Sequence, residues 1–181
     1  MRCSAVLLAG GKSTRMGRDK ALLEIEGEPL WQRQLATLRQ LSPVQLLVSG
    51  PPRPGAEAVA DRFAGAGPLA GLEAALQKAV APLLVVLAID LPHITPAFLR
   101  SLLDLCREDR GAVPCGPKFY EPLAAVYPTT LRETAEEALR AGNFSLQQFV
   151  AGAVRARQLV RREILPTESH LFTNLNSPAD L

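Results

Sequence analysis

A chain of 181 residues suits one domain large enough to bury its own core. With 48% hydrophobic and 21% charged residues and few aromatics, it reads as a soluble globular protein with a core of Leu, Val and Ala. A net charge of only +2 gives no case for a nucleic-acid surface or an anionic membrane, so any anion site must be local.

No apolar run reaches the length of a membrane span. The apolar stretch from Ala5 to Leu8 is cut short by Gly10 and Gly11, too soon for a signal peptide. A cytoplasmic location without membrane contact is therefore expected. Cys3, Cys106 and Cys115 are odd in number and lack metal-ligand spacing, as His93 and His170 do, so reduced structural cysteines are expected.

In chain order, residues 3–8, 44–49 and 83–89 are short apolar runs whose near-continuous hydrophobicity suits parallel strands covered on both faces. Amphipathic spacing predicts helices over 29–41, 68–80 and 96–108, each with Pro near its first turn, and Thr95 is the expected N-cap of the last. Beyond Arg110, strands are expected over 111–115 and 123–127. A helix over 130–141 ending at Gly142, a short helix from Ser145 and an alternating stretch near 154–160 complete the pattern. Pro51, Pro52 and Pro54 mark a stiff loop inside one domain. The expected architecture is a single-domain, three-layer α/β/α fold with a mostly parallel sheet. Its Rossmann-like nucleotide-binding half spans 1–110, its acceptor-side half spans 111–181, and ligands sit at the carboxyl ends of the strands.

The first strand runs into Leu8-Ala9-Gly10-Gly11, followed by Lys12, Arg15, Arg18 and Lys20. Adjacent glycines let backbone N–H groups approach an anion closely, and four cations favour phosphate over a merely solvated turn. Gly11-Lys12-Ser13 resembles the end of a P-loop, but the glycine that motif requires at position 6 is Val6. The G-x-G-x-x-G dinucleotide fingerprint also fails, because position 12 is Lys.

Residues 8–20 do match L-A-G-G-x-S-x-R-M-G-x-D-K at every specified position. The chain thereby resembles the molybdenum cofactor guanylyltransferases, the MobA family of nucleotidyltransferases, and the resemblance runs its full length. Asp61-Arg62-Phe63-Ala64-Gly65-Ala66-Gly67-Pro68-Leu69-Ala70-Gly71 resembles the family's D-x-x-P-G-x-G-P-L-x-G, with Ala64 in place of Pro. Asp90, before Leu91-Pro92, falls where the family holds magnesium. Residues 122–127 resemble its P-L-x-A-x-Y strand, and residues 172–181 its closing F-x-N-x-N-T-P-x-D-L. The family's nucleotide-contacting Asn after the second strand has no evident counterpart, because that region reads Val48-Ser49-Gly50.

The resemblance implies a magnesium-dependent enzyme that transfers GMP from GTP to the phosphate of molybdopterin. It implies nucleotide contacts from Leu8, Ala9, Gly10, Gly11, Lys20, Asp61, Gly67 and Asp90, and catalytic roles for Arg15, Lys20 and Asp90. Asp90 would ligate Mg²⁺, and Asn174 and Asn176 would face the acceptor, with Ser177 and Pro178 opening a last helix. Contacts with a molybdoenzyme that receives the product, or with a cofactor-biosynthesis protein, are further expected. Alternatives within the class are a molybdopterin cytidylyltransferase and a transferase acting on a sugar or polyol phosphate. Outside it stand a nucleotide-binding regulatory module, which needs no metal-ligating acid, and a P-loop protein, which Val6 opposes.

Overall fold

Cys3–Leu8 forms strand β1, with all six residues buried, in a computed structural model that describes residues 2–10 and 20–174. After a 3-10 turn at Lys20–Leu22, two short strands, β2 (Glu24–Ile25) and β3 (Glu28–Pro29), form a hairpin. Helix α1 (Leu30–Arg39), β4 (Gln45–Ser49), β5 (Glu57–Val59), α2 (Pro68–Lys78) and β6 (Leu83–Ala88) follow. Helix α3 (Pro96–Leu103) then leads to β7 (Gly111–Cys115), β8 (Ala124–Pro128), α4 (Arg132–Arg140), α5 (Leu146–Arg155) and β9 (Leu159–Glu163).

The main sheet has the order β5-β4-β1-β6-β8-β7-β9. β1 pairs in parallel with β4 and β6, and β5 in parallel with β4. β8 runs antiparallel to both β6 and β7, while β9 is parallel to β7. Two reversals cancel, so β7 and β9 point the same way as β1, β4 and β6. One edge of the sheet therefore carries the carboxyl ends of six strands and the start of β8.

Alternate residues of the central strands face opposite layers, as period-two geometry requires. Ala5, Leu7, Val85 and Leu87 pack with Leu35 and Leu38 of α1 and Phe98 and Leu102 of α3. Val6, Leu8, Leu84 and Val86 pack with α2, α4 and α5 through Leu72, Leu76, Leu139 and Phe149. This is the expected three-layer α/β/α arrangement. Thr95 caps α3 by accepting from Phe98 N at 3.1 Å. All three cysteines are free, and burial pushes the Cys106 thiol up to about 12.

Two expectations need correction. The helix expected over 96–108 stops at Leu103, because a tight turn bridging Arg107 and Arg110 brings the chain round to β7. The alternation near 154–160 is not one strand. Val154 continues the apolar face of α5, the chain turns at Arg157 with φ 61°, and the strand begins at Leu159. Neither β5 nor the β2–β3 hairpin was anticipated; the hairpin turns through Glu26 and Gly27, both at positive φ, the geometry of a tight two-residue reversal. Among the described residues, no helix is long and apolar enough to cross a membrane.

Candidate active site

The end of β1 is stitched to both neighbours. Ala9 N donates to Ser49 O at 2.8 Å, and Ile89 N donates to Leu8 O at 3.0 Å. Gly50, at φ +122°, crosses so close to the β1 end that a Cβ there would lie 2.8 Å from Gly10 N and 2.9 Å from Ala9 C. Only glycine fits. Gly67, at φ +72°, precedes Pro68 at the start of α2 and turns the chain from the Asp61 loop into the helix.

These turns enclose an open pocket of ≈ 220 Å³ whose lining includes Leu8, Gly10, Ser49, Asp61, Gly67 and Asp90. Five of those six are residues singled out in the sequence, drawn from segments far apart in the chain. Ala9 instead turns its side chain to the core and serves through its backbone. Asn174 is exposed beyond the 3-10 helix Pro166–Phe172 and is not among the residues lining the pocket. Lys20 opens the turn at Lys20–Leu22. Gly11, Lys12, Ser13, Arg15, Arg18, Asn176, Ser177 and Pro178 lie outside the described residues.

Asp61 is exposed to the pocket, and its Oδ1 accepts from Ser49 Oγ at 3.1 Å. Its neighbour Arg62 pairs with Glu73 at 2.8 Å and Glu136 at 3.1 Å, tying the loop to α2 and α4. Glu73 is fully buried, and the charge it places beside Arg62 raises that guanidinium's already high pKa.

Asp90 is half-buried just past β6. Buried Gln34 of α1 donates through Nε2 to Ala88 O and Leu91 O, both at 2.9 Å, so one amide brackets the turn that carries Asp90. Among the described residues no cluster of three or more His, Cys, Asp or Glu could hold a metal alone. A single strand-end carboxylate suits Mg²⁺ nonetheless, because that ion is commonly bound by one or two carboxylates together with substrate phosphates and water.

Along the same edge, Ala88 N donates to Leu123 O and Glu121 N to Pro114 O, both at 2.8 Å, so the segment entering β8 spans the ends of β6 and β7. Burial raises the pKa of the Glu121 carboxyl. A second pocket, of ≈ 410 Å³, opens at the ends of β7 and β9 beside Cys115, Arg161 and Glu163.

Residues 5–161 match the model of the MobA-like NTP transferase domain. The chain belongs to that family. A probable molybdenum cofactor guanylyltransferase of Opitutus terrae is 44% identical over 98% of this chain and 92% of its own. A molybdenum cofactor guanylyltransferase of Pseudomonas putida is 32% identical over 97% and 94% respectively. Among solved structures, molybdopterin-guanine dinucleotide biosynthesis protein A from Archaeoglobus fulgidus superposes with a TM-score of 0.74 at 26% identity, covering 98% of this chain and 94% of that one. The MobA-like chain is thus a nucleotidyltransferase by family, and its pocket lies where an open α/β sheet binds ligands.

Sequence reasoning left Ser49 unassigned and overlooked Gln34, which acts through contacts distant in sequence. A serine followed by glycine at the end of a buried strand was the one local hint.

Proposed function

We propose that this chain is a molybdenum cofactor guanylyltransferase, transferring GMP from GTP to the phosphate of molybdopterin and releasing pyrophosphate. The observation that carries the reading is the convergence of Gly10, Asp61, Gly67 and Asp90 on one pocket, in a chain so similar to proteins bearing that name.

An acceptor phosphate is largely ionised near neutral pH, its second pKa being about 6. It needs no protein nucleophile. One of its oxygens attacks the α-phosphorus of GTP, and the bond from that phosphorus to the bridging oxygen breaks. The electron pair leaves on pyrophosphate. The protein's work is to hold two anions together and stabilise developing charge. The glycine turn after β1 approaches the phosphates, Arg15 and Lys20 neutralise them, and Asp61 accepts N–H donors of guanine. Asp90 would hold Mg²⁺, which would polarise phosphate oxygens and offset charge on the leaving group. The acceptor lies along the same sheet edge toward β7 and β9.

Turnover assays with each of the four ribonucleoside triphosphates, Mg²⁺ and molybdopterin test this reading. Pyrophosphate release and a guanine dinucleotide product only with GTP are expected. A product only with CTP makes the chain a cytidylyltransferase. Binding of GTP without turnover on molybdopterin overturns the assignment of acceptor.

A further inference from the structure

Ser49 closes β4 and is 2% exposed, yet its hydroxyl reaches the pocket. Oγ donates to Asp61 Oδ1 at 3.1 Å, and among the described residues the Asp61 carboxylate has no other hydrogen-bond donor. A third residue makes the contact possible. A Cβ on Gly71 would lie 2.8 Å from Ser49 Oγ, 3.3 Å from Leu8 Cδ2 and 3.6 Å from Asp61 Oδ1. The space that the hydroxyl and the carboxylate share exists because α2 carries no side chain at that position.

We infer that Ser49 is a positioning residue that sets the Asp61 carboxylate for the nucleotide base, with Gly71 keeping the space in which it does so. The inference rests on Asp61 being the group that meets the base. An exposed aspartate otherwise samples several rotamers, and a ligand that needs one of them must supply the ordering. The Ser49 hydrogen bond moves that ordering into the folded protein. A carboxylate has about four lone-pair positions. Ser49 occupies one on Oδ1, leaving Oδ2 and the rest of Oδ1 for guanine N1–H and its 2-amino group. Adenine and cytosine each present one amino donor beside a ring acceptor, which a fixed carboxylate repels. A carboxylate free to turn away discriminates less.

A double-mutant cycle on Ser49→Ala and Asp61→Ala tests this, with KM and kcat measured for GTP, ITP, ATP and CTP and with GTP affinity measured by titration. Ser49→Ala is expected to raise KM for GTP about tenfold, the factor one charge-assisted hydrogen bond commonly carries. It should leave kcat within about twofold and narrow the preference for GTP over ATP and CTP. Ser49→Thr keeps the hydroxyl and should restore the selectivity lost in Ser49→Ala. Gly71→Ala should reproduce the Ser49→Ala pattern while the serine remains in place. In the Asp61→Ala background, Ser49→Ala should change nothing further.

An equal effect of Ser49→Ala with and without Asp61 overturns the positioning role. So does loss of base preference in Asp61→Ala with full preference kept in Ser49→Ala, which leaves the reading of Asp61 intact. Unchanged base preference in Asp61→Ala overturns both. Should Ser49→Ala not fold, Gly71→Ala combined with Asp61→Ala closes the same cycle.

Discussion

Gly50 faces Gly10 so closely that a Cβ on Gly50 would fall 2.8 Å from the Gly10 nitrogen. The contact joins the ends of β1 and β4, the two strands that form one wall of the pocket beside Asp61 and Asp90. Gly50 also sits at φ +122°, where side chains are rare. Gly50→Ala should therefore combine backbone strain with a clash against main chain that has little room to shift. A loss of about 1–3 kcal/mol is expected, or roughly 2–12 °C in Tm for a domain of this size. Because the displaced atoms belong to the turn proposed to approach the phosphates, GTP affinity should fall as well. Thermal melts with and without GTP check both, and an unchanged Tm would show that the turn yields easily.

The Gln34 amide should matter more to rate than to stability. Its two acceptors have other donors, since Leu91 N reaches Ala88 O at 3.4 Å and Ile94 N reaches Leu91 O at 3.3 Å. Its own Oε1 is buried and finds no hydrogen-bond partner among the described residues. Gln34→Leu removes that orphan atom along with two hydrogen bonds, so a net cost of about 1–2 kcal/mol is expected. The turn carrying Asp90 loses its bracket, and kcat should fall by about tenfold with a higher Mg²⁺ requirement. Denaturant unfolding alongside a Mg²⁺ titration of the rate separates the two effects.

Asp90→Asn keeps size and loses charge. Turnover should drop by roughly a hundredfold or more while the melting curve stays near that of the unsubstituted protein. Chelation of Mg²⁺ should silence the unsubstituted enzyme in the same assay, with activity returning on re-addition. Wild-type rates for purified Asp90→Asn would remove this side chain from the metal.

Burial raises the pKa of the Glu121 carboxyl. The folded state thus holds its proton more tightly than the unfolded chain does. The stabilising contribution of the protonated form is complete below the ordinary carboxylate pKa and is lost as pH rises through the raised value. Glu121→Gln should accordingly melt higher than the parent at about pH 8, with the gap closing toward about pH 4. A constant gap across this range would mean that the change acts through packing.

Much of this molecule is legible before any coordinates. Residues 3–8 and 83–89 are continuous apolar runs because they form the middle of a sheet covered on both sides, and a strand so placed has no polar face to disguise it. That Asp90 and Gly10 would meet at one pocket was readable because both follow the carboxyl ends of such strands. β5 was not, since Glu57 and Ala58 of its three residues are exposed at the sheet's edge and leave no periodic signal. The start of β9 was misplaced because Val154 and Val160 are both apolar for different reasons, one on a helix face and one in a strand. Gln34 is the one polar residue among the buried positions of α1, beside Leu30, Leu35 and Leu38. Its meaning lies in two carbonyls more than fifty positions away, and no local pattern reports a contact at that range.

β1 lies near the centre of its sheet and precedes both of its neighbours in the chain. It finds its partners in Gln45–Ser49 and Leu83–Ala88, so during synthesis this fully buried strand leaves the ribosome before either neighbour. Until β6 has left the ribosome, CSAVLL has one edge unpaired, and closing each parallel pair demands a long crossover before any ladder bond forms. A nascent chain that has not yet made β6 therefore exposes an apolar strand to aggregation. Truncations ending before Leu83 should accumulate as insoluble material.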